Sequence, residues 1–97
     1  MPLQLDGDLC WQGAAGVQRL PLNLAGALLL VLAREGRWIS RSELAALFWP
    51  EVPESQALQN LRVQLLRAHR AVAQLGDAPP LQAELRRLRW PVPHALN

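Results

Sequence analysis

The sequence predicts an α+β domain in which short strands come first, three helices follow and a β-hairpin closes the chain. Three observations carry that expectation. Residues 2–20 are cut by Asp6-Gly7, Gly13 and Gly16 into the short runs PLQL, LCW and VQRL, a pattern of two or three strands joined by turns in a small antiparallel sheet. From 22 to 75 the apolar positions recur at three- and four-residue spacing, with capping residues at the boundaries. Beyond the turn at 76–80 the apolar runs shorten again. A chain of 97 residues has room for one domain with a modest core and not for two. Its expected extent is 1–93, with 94–97 a tail or linker into a longer protein, because Pro91-Val92-Pro93-His94 reads as an exit segment.

In the first sheet, Cys10 and Trp11 are expected to be packed side chains. The first helix, 22–34, reads LNLAGALLLVLAR, with Asn23 as its N-cap and Gly36 just past its end as C-cap. Nearly every side of it is apolar, which makes it the central helix of the core. Residues 37–39 follow as a short strand. Ser40-Arg41-Ser42-Glu43 then matches the S-x-x-E capping box, in which the serine hydroxyl accepts from the Glu43 amide and the Glu43 carboxylate reaches back. The second helix therefore starts at Arg41. Pro50 stops it near Trp49, and Leu44, Leu47 and Phe48 supply its buried face. A stiff acidic loop, 50–54, leads into the longest helix, 54–75, whose stripe is Leu58, Leu61, Leu65, Ala68, Val72 and Leu75. The last element is a hairpin with strands 81–84 and 88–90. Its turn has neither Gly nor Asn, and the piece taken alone also fits a helical turn.

Composition removes several function classes. Hydrophobic residues make up 51% and charged residues 19%, which describes a compact fold and not a disordered chain. Cys10 has no second cysteine, so neither an internal disulfide nor a thiolate zinc site is expected, and a reduced, cytoplasmic setting fits best. The longest apolar run, 24–33, is about half of what a bilayer span requires, and no basic region precedes an apolar run at the N-terminus. No targeting or membrane segment is expected. Catalysis needs a nucleophile with its base, paired carboxylates, a metal cluster or a glycine-rich phosphate loop. The chain offers two separated histidines and one cysteine, so no enzyme, cofactor or metal is expected. His69 reads as a surface or phosphate-facing residue and His94 as part of the tail.

Charge is more informative than its total of +2. All ten basic residues are arginine, which either codon bias or a need for bidentate phosphate and guanine partners would produce. Residues 1–55 hold four arginines against six acids, whereas 56–97 hold six arginines against Asp77 and Glu84. The basic half contains the longest helix. Opposite its apolar stripe project Gln56, Gln59, Asn60, Val63, Arg67, Arg70 and Gln74, with Arg62 and Leu66 on one flank. No acid lies between Glu54 and Asp77. A helix that needs only solubility usually mixes both signs into i,i+4 pairs, while amides and guanidiniums alone are the groups that hydrogen-bond base edges and phosphates. The plainer reading of the same face is the solvated side of a bundle helix.

Strands, helix, short capped helix, loop, long helix and hairpin make up a winged helix-turn-helix. Ser40-Arg41-Ser42-Glu43-Leu44-Ala45 with Phe48-Trp49-Pro50, followed by Asn60-Leu61-Arg62-Val63 and Arg67, resembles the N-terminal DNA-binding domain of bacterial transcriptional activators of the Streptomyces antibiotic regulatory protein type, itself similar to OmpR-type winged helices. The resemblance covers nearly the whole chain. It implies sequence-specific binding of double-stranded DNA in transcription regulation, with the long helix in the major groove. Carried over, it makes Gln59, Asn60, Val63 and Arg67 the base-reading residues, in agreement with the helical projection. It places Arg41, Arg62 and Arg70 on the DNA backbone, together with Arg86, Arg87 and Arg89 on the hairpin wing. The loop holding Trp49, Glu51 and Glu54 becomes the contact to RNA polymerase, and further domains of the same polypeptide become possible partners. The chain departs from the family at the start of the first core helix, where Leu22-Asn23-Leu24-Ala25 has no basic residue, at Ala68, where leucine is usual, and at His69, where arginine is common.

The competing expectation is a winged-helix protein-interaction module that has lost DNA binding, for which the outward Val63 and Leu66 speak. Trp38, Trp49 and Trp90 fit either base stacking or closure of the core, and Arg86-Arg87 fits either a solvated turn or a DNA-touching wing.

Overall fold

The computed structural model describes residues 3–4, 10–13, 16–19, 23–76 and 78–92. Strands β1 (Leu3–Gln4), β2 (Cys10–Gly13) and β3 (Gly16–Arg19) form an antiparallel sheet in the order β1-β2-β3, with Leu3 opposite Trp11 and Gln12 opposite Val17. This is the small sheet that the glycine punctuation predicts. It is described by its backbone pairing. The packing expected of the Cys10 and Trp11 side chains, like the tail 94–97 with His94, lies outside the described residues.

Helix α1 (Leu24–Glu35) begins where Asn23 is extended and its Oδ1 accepts from the Gly26 amide at 3.0 Å, one of the four amides that a helix start leaves without a partner. It ends where Gly36 turns left-handed at φ 67°, a conformation that strains any residue with a β-carbon, and the Gly36 amide closes on the Leu32 carbonyl at 3.1 Å. Leu28, Leu29 and Leu32 are fully buried, so α1 is the central helix that its all-round apolar character predicts.

Strand β4 (Ile39–Ser40) leads directly into α2 (Arg41–Phe48). Ser40 Oγ accepts from the Glu43 amide at 3.0 Å, which is half of the expected capping box. The other half is replaced. The Glu43 carboxylate accepts from Arg37 Nη2 at 3.2 Å, a charge-assisted bond in place of the neutral Ser40 amide. Helix α2 packs on α3 through Leu44 and Ala45, with Phe48 half-buried. Leu47, expected in that face, lies outside this arc and is 62% exposed.

Helix α3 (Glu54–Ala73) follows Pro53, whose missing amide suits a helix start, and carries Glu54 in its first turn, where a negative charge complements the helix dipole. Its buried stripe is Ala57, Leu61, Leu65, Ala68 and Val72, continued by Leu75 past the helix end. Ala57 was not expected there, and Leu58 is only half-buried, because both α1 and α2 pack against α3 and turn its contact face slightly toward α2. Each fully buried leucine of this stripe contributes about 1.5–3 kcal/mol relative to exposure.

The hairpin consists of β5 (Gln82–Ala83) and β6 (Arg87–Arg89), with Gln82 opposite Arg89 and Ala83 opposite Leu88. Strand β4 pairs with the free edge of β6, Ile39 opposite Leu88, which gives a second antiparallel sheet in the order β4-β6-β5. The period of two along β6 sends Leu88 into the core and Arg87 and Arg89 to the other face. Trp90 is fully buried and its Nε1 donates to the Pro79 carbonyl at 2.9 Å. Among the described residues no helix is long and apolar enough to cross a membrane.

Candidate nucleic-acid interface

The exposed side of α3 is built by exclusion. Once Ala57, Leu61, Leu65, Ala68 and Val72 face α1 and α2, helical geometry leaves Gln59, Arg70, Val63, Arg67 and Asn60 on an outward arc of about 100°. Gln59, Val63, Arg67 and Arg70 are exposed and Asn60 is half-buried. Gln56 Nε2 donates to Asn60 Oδ1 at 2.9 Å, one turn apart, which engages the Asn60 oxygen and not its amide nitrogen. Arg62, at the edge of the arc, is exposed as well. Among the described residues neither Arg62, Arg67 nor Arg70 has an ion pair or a side-chain hydrogen bond.

The flank of α3 that carries Arg62 faces the hairpin across a groove of about 540 Å³. One wall is Arg62, Val63, Leu66 and His69; the other is Ala83 and Leu85, with Arg41 beside them. A second groove of about 380 Å³ continues past Arg41 and Leu85 to Ser40, Ser42, Leu58 and Arg86. The structure thus brings Arg41, Arg62, Val63 and Arg86 around one pair of grooves next to the outward arc of α3. It does not bring Arg87 and Arg89 there. They lie on the opposite face of the sheet, 4.3 and 4.6 Å from the centre of the Trp38 ring. Arg87 Nε also donates to Glu84 Oε1 at 2.6 Å, and Arg89 Nε to Gln82 Oε1 at 2.5 Å.

Arg41 has a role that its place in the sequence does not announce. Its Nε and Nη2 both donate to the Glu84 carbonyl, at 3.0 and 2.8 Å, and its own amide donates to the Arg86 carbonyl at 2.8 Å. Together with the Glu84 amide on the Arg87 carbonyl at 2.8 Å, these bonds fix the turn formed by Leu85 and Arg86. Neither turn residue adopts a positive φ, which is the conformation that Asn-Gly turns provide. The tie from α2 supplies from outside the order that the turn residues lack.

The three tryptophans whose side chains are described divide. Of the two roles that the sequence leaves open, Trp90 takes closure of the core. Trp49 is half-buried against Phe48, with ring centres 5.8 Å apart, and lines a pocket of about 120 Å³ with Ser42, Val52 and Glu54. Trp38 neither closes the core nor faces α3; it is the platform for two guanidiniums. Glu51 and Glu54 are exposed in the loop before α3 and in its first turn. Arg37 bridges Glu35 and Glu43, and the hydrogen bond and charge of Glu43, with a smaller contribution from Glu35, raise its pKa above the ordinary arginine value.

Sequence reasoning missed Leu85, which is 85% exposed at the tip of the hairpin. The available signal was a leucine in a turn where Gly or Asn belongs. Among the described residues no three His, Cys, Asp or Glu side chains come together as a metal site. No family model, curated protein or solved structure matches the chain, and the reading of its function therefore rests on these side chains.

Proposed function

We propose that the chain is a winged helix-turn-helix that binds double-stranded DNA sequence-specifically in transcription regulation, with α3 in the major groove and the β5–β6 hairpin as its wing. The observation that carries this reading is the outward side of α3, where amides stand together with Arg62, Arg67 and Arg70, none of which has an ion pair among the described residues. Arg67 has the fork that fits guanine O6 and N7, and the Gln59 and Asn60 amides fit base edges such as adenine N6 and N7. Arg62, at the edge of the arc, and Arg70, toward the C-terminal end of α3, serve the phosphates. In the same reading the loop with Trp49, Glu51 and Glu54 meets RNA polymerase, and the domain works in the cytoplasm of a bacterium.

The rival reading, a protein-interaction module, is favoured by the exposure of Val63 at 44%, Leu66 at 55% and Leu85 at 85%. Binding to a fluorescent random-sequence duplex over a salt series, followed by selection from a random pool, separates the two. DNA binding through about four phosphates gives a slope of log affinity against log salt of about −3 to −4, with an enriched motif. Absence of binding at low salt would overturn the proposal in favour of a protein partner.

A further inference from the structure

Leu85 poses a physical problem. It is the most exposed large hydrophobic among the described residues, and it occupies the one place in the hairpin where a polar turn residue would be cheapest. It is also held firmly. The carbonyls on both sides, of Glu84 and Arg86, each accept from Arg41, and the Glu84 amide closes on Arg87, so the tip is not a loose loop end that happens to carry a leucine. A local rule broken at a well-ordered position marks a functional position more often than a defect. The surroundings say what it meets. Arg86 is exposed next to it with no ion pair among the described residues, and Arg41 and Arg62 line the grooves that Leu85 overhangs.

The geometry points to Leu85 as an apolar wedge that enters the DNA minor groove and partly unstacks a base step while α3 occupies the adjoining major groove. This rests on the DNA-binding reading above and adds to it a specific deformation of the duplex. Arg86 lies against the flanking phosphates, and the intervening sugar-phosphate strand runs in the groove between α3 and the wing, past Arg62 and Arg41. Apolar side chains inserted at a base step kink the duplex, and insertion costs least at flexible pyrimidine–purine steps. The domain therefore favours a TA or CA/TG step at a fixed distance from the bases that α3 reads, at a position where no side chain hydrogen-bonds a base.

The test uses the intact chain and a duplex obtained by selection, with 2-aminopurine placed in turn at each step outside the α3 half-site. Wild-type binding is expected to raise 2-aminopurine fluorescence at one step only, and to bend the duplex in a gel-permutation assay. Leu85→Ala should abolish both signals and weaken binding about tenfold, with the α3-read bases unchanged, while Leu85→Met retains them. Because Leu85 is exposed, its variants keep the thermal stability of the wild type. Failure of the wild type to bind any duplex would sink the DNA-binding reading itself. Binding with no fluorescence change, and equal affinity for Leu85→Ala, would overturn the wedge alone. So would a wild type that self-associates in sedimentation and a Leu85→Ala variant that is monomeric with unaltered DNA affinity.

Discussion

The arginines of α3 and those around the β4-β6-β5 sheet are the same residue put to opposite uses. On α3, Arg62, Arg67 and Arg70 stand exposed with no ion pair or side-chain hydrogen bond among the described residues. Around the sheet, Arg37 bridges two carboxylates, Arg41 grips the Glu84 carbonyl, and Arg87 and Arg89 each bind a side chain and stack on Trp38. A guanidinium has five donors in a fixed fork, and one whose fork is already filled has to give up protein bonds before it can bind a phosphate. Positive charge in a sequence is therefore a poor guide to ligand contact until the partners of each arginine are known. Arg86 is the exception that supports the rule: it belongs to the hairpin, yet its side chain is exposed and without an ion pair among the described residues.

The largest effect expected from this division is at Arg67. Arg67→Ala should cost about 1–3 kcal/mol of affinity for the selected duplex and relax preference at one base pair. Its thermal stability should match the wild type, since the exposed side chain has no ion pair or hydrogen bond among the described residues. Titration of the variant against the selected duplex and single-base variants reads the first two, and a thermal melt reads the third. If Arg89→Ala loses as much affinity as Arg67→Ala, with the same relaxation, the separation into free and engaged arginines is wrong.

A smaller effect, of a different kind, is expected at Arg41. Removing its side chain deletes two hydrogen bonds to an exposed carbonyl that water can partly replace, so Arg41→Ala should lower stability by about 1 kcal/mol. The loss should be concentrated in the hairpin, seen as faster hydrogen exchange of the Arg41 and Glu84 amides. Arg41→Lys should not restore it, because an ammonium lacks the fork. If instead the exchange is unchanged and the salt slope of DNA binding falls by about one, Arg41 serves a phosphate directly, as its position in the sequence suggests.

What was legible in the sequence follows from how local each signal is. Asn23, Gly36 and Ser40 mark helix ends through atoms within four residues, and the structure places these ends where the caps indicate. The outward arc of α3 was legible because Leu61, Leu65, Ala68 and Val72 fix its opposite face by period alone. The hairpin was legible as two strands, but its turn was not, because the group that orders it sits 43 residues away on α2. The same distance hid the use of Trp38, which depends on β4 pairing with β6 across the sheet. Leu47 was misplaced because a short helix has too few apolar positions to define its buried arc without knowing where α3 lies.

The smallest effect separates directed hydrogen bonding from charge in general. Arg37 has two carboxylate partners where Arg41 has one neutral carbonyl, so by charge counting Arg37 should matter more. Physical setting says otherwise. Arg37 and its partners are exposed, and exposed pairs gain little because water and salt screen them and long side chains must be ordered. Its raised pKa means that whatever the bridge contributes is fully present below the ordinary arginine value and is lost only as pH rises through the higher folded one, outside any working range. Arg37→Gln should therefore shift the melting temperature too little to resolve at physiological salt, and no more at pH 5 than at pH 9 on account of the arginine. A loss equal to that of Arg41→Ala would mean that the sheet-side arginines stabilise the fold by charge, and the hairpin tie would no longer be set apart from the other ion pairs.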